Sequence, residues 1–317
     1  MESGLLIIHA LTVVLPLFGI LLLGYLSGRF GLMGRDASDV LGKFVFLVAF
    51  PAMIFHSLWQ MPLAEFFHWP FLGALGGGMA LTYLGAMLFA RRFFPGSRTA
   101  LGFHGLTAMF SSTGYIGLPI LMLLFGDEAL APGIVGAVIT GACFMPVAII
   151  IAELDRGAPR SRAALVCARG LLRNPLLIAT ALGLLASAQK WPVPGRLDEM
   201  LRIMGNAYVP CALFSAGLFL VGAKVKGDSR EIGWLVMIKL LIHPLITWWL
   251  AYHVFELRGI LPMVAVIQAA LPCGVPVFVI AQRYGVFTER ANAVIVLTTA
   301  LSVLTLPLLL LLSLIHI

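Results

Sequence analysis

Residues 110–119 read F-S-S-T-G-Y-I-G-L-P in the middle of a long apolar run, and residues 268–276 read Q-A-A-L-P-C-G-V-P in another. Each carries a Gly-x-Pro triplet, Gly117-Leu118-Pro119 and Gly274-Val275-Pro276, where an uninterrupted membrane helix would carry Leu or Val. Proline removes a backbone donor and clashes with the preceding turn, and glycine tolerates dihedrals closed to other residues, so both runs are predicted to break near their middle. A broken helix in lipid leaves amides and carbonyls unpaired. Such groups are tolerated only where they are buried in protein or line a wet cavity, and a matched pair of Gly/Pro-interrupted segments in two halves of a chain points to a transporter binding site.

The surrounding composition is that of a polytopic membrane protein. Of 317 residues, 61% are hydrophobic and 11% charged, with a mean hydropathy of +1.02, where soluble domains carry roughly a quarter charged residues. Ten apolar runs approach the ~20 residues that cross the hydrocarbon core as helix, at 5–26, 43–59, 70–90, 101–125, 130–152, 172–188, 201–222, 233–254, 260–282 and 291–311. The first is too long for a removable signal and lacks a small-residue cleavage site, so it reads as helix one. No loop is long enough for a soluble catalytic or sensory domain.

Net charge is +7 and the pI about 9.5, but the basic residues are arranged as a topology signal and not as a nucleic-acid footprint. Sixteen of the 21 Lys and Arg fall in alternate loops: Arg29, Arg35 and Lys43; Arg91, Arg92 and Arg98; Arg156, Arg160, Arg162, Arg169 and Arg173; Lys224, Lys226 and Arg230; Arg283 and Arg290. The opposite loops hold only Lys190, Arg196, Arg202 and Arg258. By the positive-inside rule the rich side is cytoplasmic, which puts both termini outside. Cys143, Cys167, Cys211 and Cys273 are scattered, with no spacing that indicates a disulfide framework or a zinc site.

The chain repeats itself at an offset near 159. Pro16-Leu17 and Gly24 answer Pro175-Leu176 and Gly183; Pro51 in V-A-F-P-A-M-I-F answers Pro210 in A-Y-V-P-C-A-L-F; Glu128 and Pro146 answer Glu289 and Pro307. Five matched segments per half is an odd number, so the second copy enters the membrane from the opposite side. The expected fold is therefore all-α, ten transmembrane helices in two inverted five-helix repeats with broken helices 4 and 9. Residues 1–153 form the first repeat, 154–171 an Arg-rich cytoplasmic linker and 172–317 the second repeat. Gly73 and Gly77 stand at G-x-x-x-G spacing in the third run, which suits close helix packing before a dimer seam. The tail L-S-L-I-H-I at 312–317 is out of keeping with the rest and back-translates to a common sequencing-adapter tail, so His316 enters no functional argument.

All 14 acidic residues fall in expected loops or at helix ends, so no carboxylate is expected deep in a span. A cationic substrate would lack a counter-charge there, whereas the half-helix N-termini made by the breaks suit a carboxylate or similar anion. Candidate ligands are Ser112, Thr113 and Gln268 with the backbone around Gly114, Gly117, Cys273 and Gly274, while Pro119 and Pro276 would hold the break open. The alternative reading is that the hydroxyls only patch freed backbone groups. Lys239 and His243, four apart in the eighth run, share a helix face; Lys239 either snorkels to the interface or has an electrostatic or proton-coupling role. His56 and His104 read as packed, hydrogen-bonded histidines. No enzyme is expected. Ser111 and His104 are seven residues apart, and no G-x-S-x-G, H-E-x-x-H or P-loop occurs. No cofactor or metal is expected, and the lack of buried carboxylates favours proton coupling or uniport over sodium.

The stretches F-S-S-T-G-Y-I-G-L-P at 110–119, A-A-L-P-C-G-V-P at 269–276, R-N-P-L at 173–176 and P-C-A-L-F-S-A-G-L at 210–218 together resemble the auxin efflux carrier family, with bacterial malonate or malate permease-type members nearest in length. The resemblance covers essentially the whole chain. It implies a multi-pass protein of the bacterial cytoplasmic membrane that moves organic anions by an elevator-like motion. Helices 1, 2, 6 and 7 would form a scaffold, commonly a homodimer, and helices 3–5 and 8–10 a transport domain with crossover helices 4 and 9. The family pattern carries asparagine at the position of Ser112, a departure that bears on which substrate is held. An anion channel of the same fold and a non-transporting membrane receptor remain the alternatives.

Overall fold

The computed structural model describes residues 2–94, 96–192, 194–222 and 225–314, with side chains described outside 2–14, 35, 64–65 and 311–314. Lys224 and His316 lie outside the described residues. The main helices are α1 (Glu2–Arg29), α2 (Asp36–Trp59), α3 (Trp69–Phe93), α4 (Arg98–Met109), α5 (Leu118–Phe125), α6 (Leu130–Ile139), α7 (Met145–Asp155), α8 (Arg160–Leu172), α9 (Pro175–Ala188), α10 (Gly195–Asn206), α11 (Tyr208–Phe219), α12 (Ser229–Val254), α13 (Leu261–Ala270), α14 (Pro276–Tyr284) and α15 (Thr288–Leu314). Among the described residues there is no strand; one isolated antiparallel bridge joins Ser111 to Cys273.

Five stretches are each long and apolar enough to cross a membrane: Asp36–Trp59, Trp69–Phe93, Thr113–Asp155, Ser229–Val254 and Thr288–Leu310. A sixth results if α8 and α9, bent by 62°, count as one span. The ten runs of the sequence therefore do not all reappear as unbroken spans. The fourth breaks after α4, and its second part, α5, belongs to the stretch Thr113–Asp155; the ninth is divided into α13 and α14, and α4, α13 and α14 each fall short of the ~20 residues a crossing needs.

Proline explains much of the local irregularity. The π turns Val45–Ala49, Thr113–Gly117, Thr140–Phe144 and Ile238–Ile242 are each followed, two residues on, by Pro51, Pro119, Pro146 and Pro244. A proline ring clashes with the carbonyl four residues back and offers no N–H to it. Widening that turn moves the carbonyl aside and keeps the helix going, a common site for function to collect.

Packing falls into two sets. α1 lies along α11, and α2 along α9, α10 and α11; α3 packs on α4, α12 and α13, α4 on α7, and α13 on α6 and α15. The glycines of α3 serve the second set. Gly73 faces the Phe255 ring, Gly77 the Leu250 side chain and Gly78 the Thr247 side chain, so the G-x-x-x-G face is used for packing within the chain. His56 is hydrogen-bonded as expected, 2.9 Å from Asp198 Oδ1, and ties α2 to α10.

Candidate functional site

Both breaks form where expected, and they meet. α4 stops at Met109 and Phe110 turns extended; α13 stops at Ala270 and Leu271 turns extended. The two short extended pieces run antiparallel. Ser112 N donates to Pro272 O at 2.9 Å, and Gly274 N donates to Phe110 O at 3.3 Å. Two interrupted helices thus satisfy part of each other's freed backbone, as a dry interior requires. Glycine at 274 is needed for that approach, because a Cβ there would stand 2.7 Å from Cε1 of Phe110. Pro276 opens α14, where a missing N–H costs no helical bond, whereas Pro119 follows the π turn Thr113–Gly117, which accommodates it within a continuing helix.

The remaining polar groups divide between the two breaks. Ser112 O accepts from the amides of Tyr115, Ile116 and Gly117 at 3.0–3.3 Å, so the first amides of this half-helix are partly spent on its own cap. The amides of Thr113 and Gly114 precede that set and take no backbone acceptor among the described residues. Thr113 is 2% exposed and its Oγ1 has no partner. On the other break the Cys273 amide donates to Thr298 Oγ1 of α15 at 3.0 Å. It is this backbone amide of Cys273 that has a clear structural partner.

Lys239 lies directly behind the crossing. It is fully buried, and its Nζ donates to Ala269 O at 2.7 Å and to Ser111 Oγ at 2.9 Å, with His243 Nδ1 at 3.2 Å. Snorkelling is excluded by that geometry. Three contacts use the three ammonium protons, and the contact with His243 requires Nδ1 to accept, which puts the imidazole proton on Nε2. No carboxylate lies within salt-bridge distance of Lys239 among the described residues. In its charged form this side chain is a buried cation without a counter-ion, held at a cost of several kcal/mol, and an anion beside it would offset part of that.

Gln268 departs from the expectation. It is fully buried, but its Nε2 donates to Pro132 O at 3.0 Å and its amide faces Gly136, so it ties α13 to α6 and makes no hydrogen bond to a crossover residue. Other residues contact the crossing without having been picked from sequence. Tyr208 of α11 stacks on Phe50 of α2 at 4.7 Å and donates its hydroxyl to Gly114 O; Tyr115 OH donates to Gly42 O at 3.2 Å. Thr298 is the third such residue.

A second buried polar cluster lies near the start of α12. Glu231 is at a helix end as expected, yet it is buried, and its Oε2 pairs with Arg290 Nε at 2.9 Å. His104 of α4 is packed but not hydrogen-bonded, which corrects the sequence reading. Both ring nitrogens lack a partner, and Nε2 stands 4.0 Å from Glu231 Oε1. The aromatic rings of Phe94 and Phe287 pack beside it, each with its centroid about 6 Å away.

Comparisons with known proteins place the chain among membrane transporters. A family model described as membrane transport protein matches residues 9–161 and 158–310, covering both halves of the chain. A putative malonate transporter of Rhizobium meliloti (strain 1021) is 32% identical over 301 residues, 92% of each chain. An uncharacterized transporter of Methanothermobacter thermautotrophicus is 28% identical over 299 residues, 93% of this chain and 95% of its own. Auxin efflux carrier component 1 of Arabidopsis thaliana is 30% identical over 134 residues, 40% of this chain and 21% of that one. With family matches in both halves and a 32% identical relative along nearly its whole length, the chain belongs to the membrane transport protein family that includes the auxin efflux carriers.

Proposed function

We propose that this protein is a secondary transporter or facilitator of small organic anions, mono- or dicarboxylates such as malonate or malate, in a bacterial cytoplasmic membrane. The observation that carries the reading is the buried Lys239 ammonium, bonded to the crossing of two broken helices and lacking a carboxylate. At ~6 Å and an effective dielectric constant near 20, a bound carboxylate would gain roughly 3 kcal/mol from that charge. Thr113 Oγ1, Ser112 and the amides of Thr113 and Gly114 would supply the short-range hydrogen bonds, with Lys239 supplying the field. That the similar protein of Rhizobium meliloti is named a putative malonate transporter supports the same class of cargo.

Ten helices in two inverted repeats, both termini outside, would follow from the matched halves and the loop charges. α1, α2 and α9–α11 would be the scaffold, suited to homodimerise within the bilayer, and α3–α7 with α12–α15 the part that moves. The contacts Tyr208–Gly114 and Tyr115–Gly42 lie between those two sets and would have to break in an elevator movement. The test is counter-exchange of labelled malonate in proteoliposomes under clamped pH, with and without sodium. Saturable, sodium-independent exchange supports the carrier reading; unitary currents indicate a channel, sodium-dependent uptake overturns proton coupling or uniport, and no flux of any carboxylate overturns the anion assignment.

A further inference from the structure

The crossover does not use the second buried cluster, and that cluster has the make-up of an ion site. His104 is 1% exposed, in the interior of α4, with neither ring nitrogen bonded. A neutral imidazole has one donor and one acceptor to satisfy, so this ring forgoes two hydrogen bonds as it stands. The polar group it faces is a carboxylate, Glu231 Oε1 at 4.0 Å, about 1 Å beyond hydrogen-bonding range. Glu231 is itself neutralised by Arg290, whose side chain is 39% exposed and lies over the Phe287 ring at 5.4 Å. Arg290 and Phe287 also line an open cavity of about 380 Å³ with Asp228, Thr288 and Glu289. Arg290, partly exposed, thus joins this open cavity to the buried Glu231 carboxylate.

We infer that His104 and Glu231 form a proton-binding site, loaded through this cavity and distinct from the anion site at the crossing. A proton arriving from the cavity would bind an imidazole nitrogen, and the imidazolium would take the carboxylate while Arg290 turns out to water. Glu231 stays neutralised throughout, and no uncompensated charge is left buried at any stage. Of the other titratable or charged groups on the elements packed around α4, Arg290 on α15 pairs with Glu231, and Tyr83 on α3, whose hydroxyl is also without a partner, packs against Gly105 beside His104; Asp155 on α7 is engaged by Thr99, and Tyr284 on α14 by Glu153. Asp228, one turn from Glu231, adds negative charge near the cavity. The link to the crossing is along the same two helices. His104 and Ser111 are seven residues apart, and Glu231 and Lys239 eight, so by helical rise the Lys239–Ser111 contact lies ~10–12 Å deeper. Drawing His104 onto Glu231 pulls α4 and α12 together at one level and acts on the pair of helices that Lys239 joins at the other.

The proposal rests on the anion-transport reading for its purpose but not for its test. Hydrogen–deuterium exchange at the imidazole C2 position of His104, followed by mass spectrometry on the purified full chain across pH, reads protonation without any transport. The expected result is a titration whose midpoint moves by at least about one pH unit in Glu231→Gln. A midpoint that is unchanged in Glu231→Gln overturns the site. In proteoliposomes, protons moved per malonate, read with an entrapped pH dye, should fall at least tenfold in His104→Gln and in His104→Phe, which keeps a ring between Phe94 and Phe287. An undiminished ratio in both variants overturns the coupling. If the wild type moves no malonate, the transport reading fails for that anion while the exchange result still decides the proton site.

Discussion

The two breaks look alike in sequence and are used differently in the structure. At the first, residues 110–119, the chain caps its own half-helix through Ser112 O and leaves the Thr113 hydroxyl buried without a partner. At the second, residues 268–276, the exposed backbone is taken up by the rest of the fold: Cys273 N by Thr298, Gly274 N by Phe110 O, and the Leu271 side chain packed against Gly117. The one amide side chain near it, Gln268, is turned towards Pro132. The first break keeps an unpartnered hydroxyl, Thr113 Oγ1, and at the second the unpartnered atom is an acceptor, Gln268 Oε1, which has no proton to give an anion. Under the proposed function, recognition of an anion would fall to the first break and rigidity to the second.

The largest expected effect comes from the group that serves both breaks. Lys239→Met removes a buried charge, which favours stability, and strands Ser111 Oγ, Ala269 O and His243 Nδ1, which opposes it by ~1–3 kcal/mol each. The two roughly cancel, so the melting temperature should change little while malonate affinity falls roughly 100-fold, the equivalent of the ~3 kcal/mol field. Isothermal titration beside a thermal melt separates the two. Next is Thr298→Val, which orphans the Cys273 amide at a cost of ~1–3 kcal/mol; this should appear as a lower melting temperature, with anion affinity reduced less than in the lysine variant. Thr113→Val gives the opposite signature. Its hydroxyl has no partner to lose, so stability should hold within ~0.5 kcal/mol or rise, while malonate affinity drops several-fold. If Thr298→Val weakened binding and Thr113→Val weakened the fold, the contrast between anchor and recognition break would be reversed. The smallest effect is Tyr208→Phe, which removes the hydroxyl bond to Gly114 O while keeping the stack on Phe50; ~1 kcal/mol or less of stability is at stake, and exchange rates should change more than affinity.

Much of the fold was legible because proline and glycine act locally. Gly-x-Pro at 117–119 and 274–276 flags two interrupted runs, the first broken a few residues earlier at 110–112, whereas the sequence leaves Lys239 open between snorkelling and burial, which only its tertiary contacts decide. What escaped depends on which way a face points. Gln268 is polar and close to a break, yet its direction is set by packing of α13 on α6, which no spacing encodes. Thr298 and Tyr208 are ordinary residues for their helices, and only the tertiary approach gives them an unpaired backbone group to bond. The π turns add to the difficulty, since each advances the facing by a fraction of a turn and defeats extrapolation at 3.6 residues. Glu231 was correctly placed at a helix end, but a helix end is exposed or buried according to what packs on it, here α4 and α15.

The most direct test of anion recognition at the first break is the thermal shift of the purified protein against a panel of small carboxylates, neutral analogues and amines, repeated on Ser112→Ala. Ligands that bind only the folded state raise the melting temperature by mass action, ~1.4 kcal/mol at ten times Kd, which for a chain of this size is roughly 2 °C or more. The account predicts that at least one carboxylate stabilises the wild type and that Ser112→Ala diminishes the shift. Stabilisation by neutral compounds or amines with none from any carboxylate would contradict it.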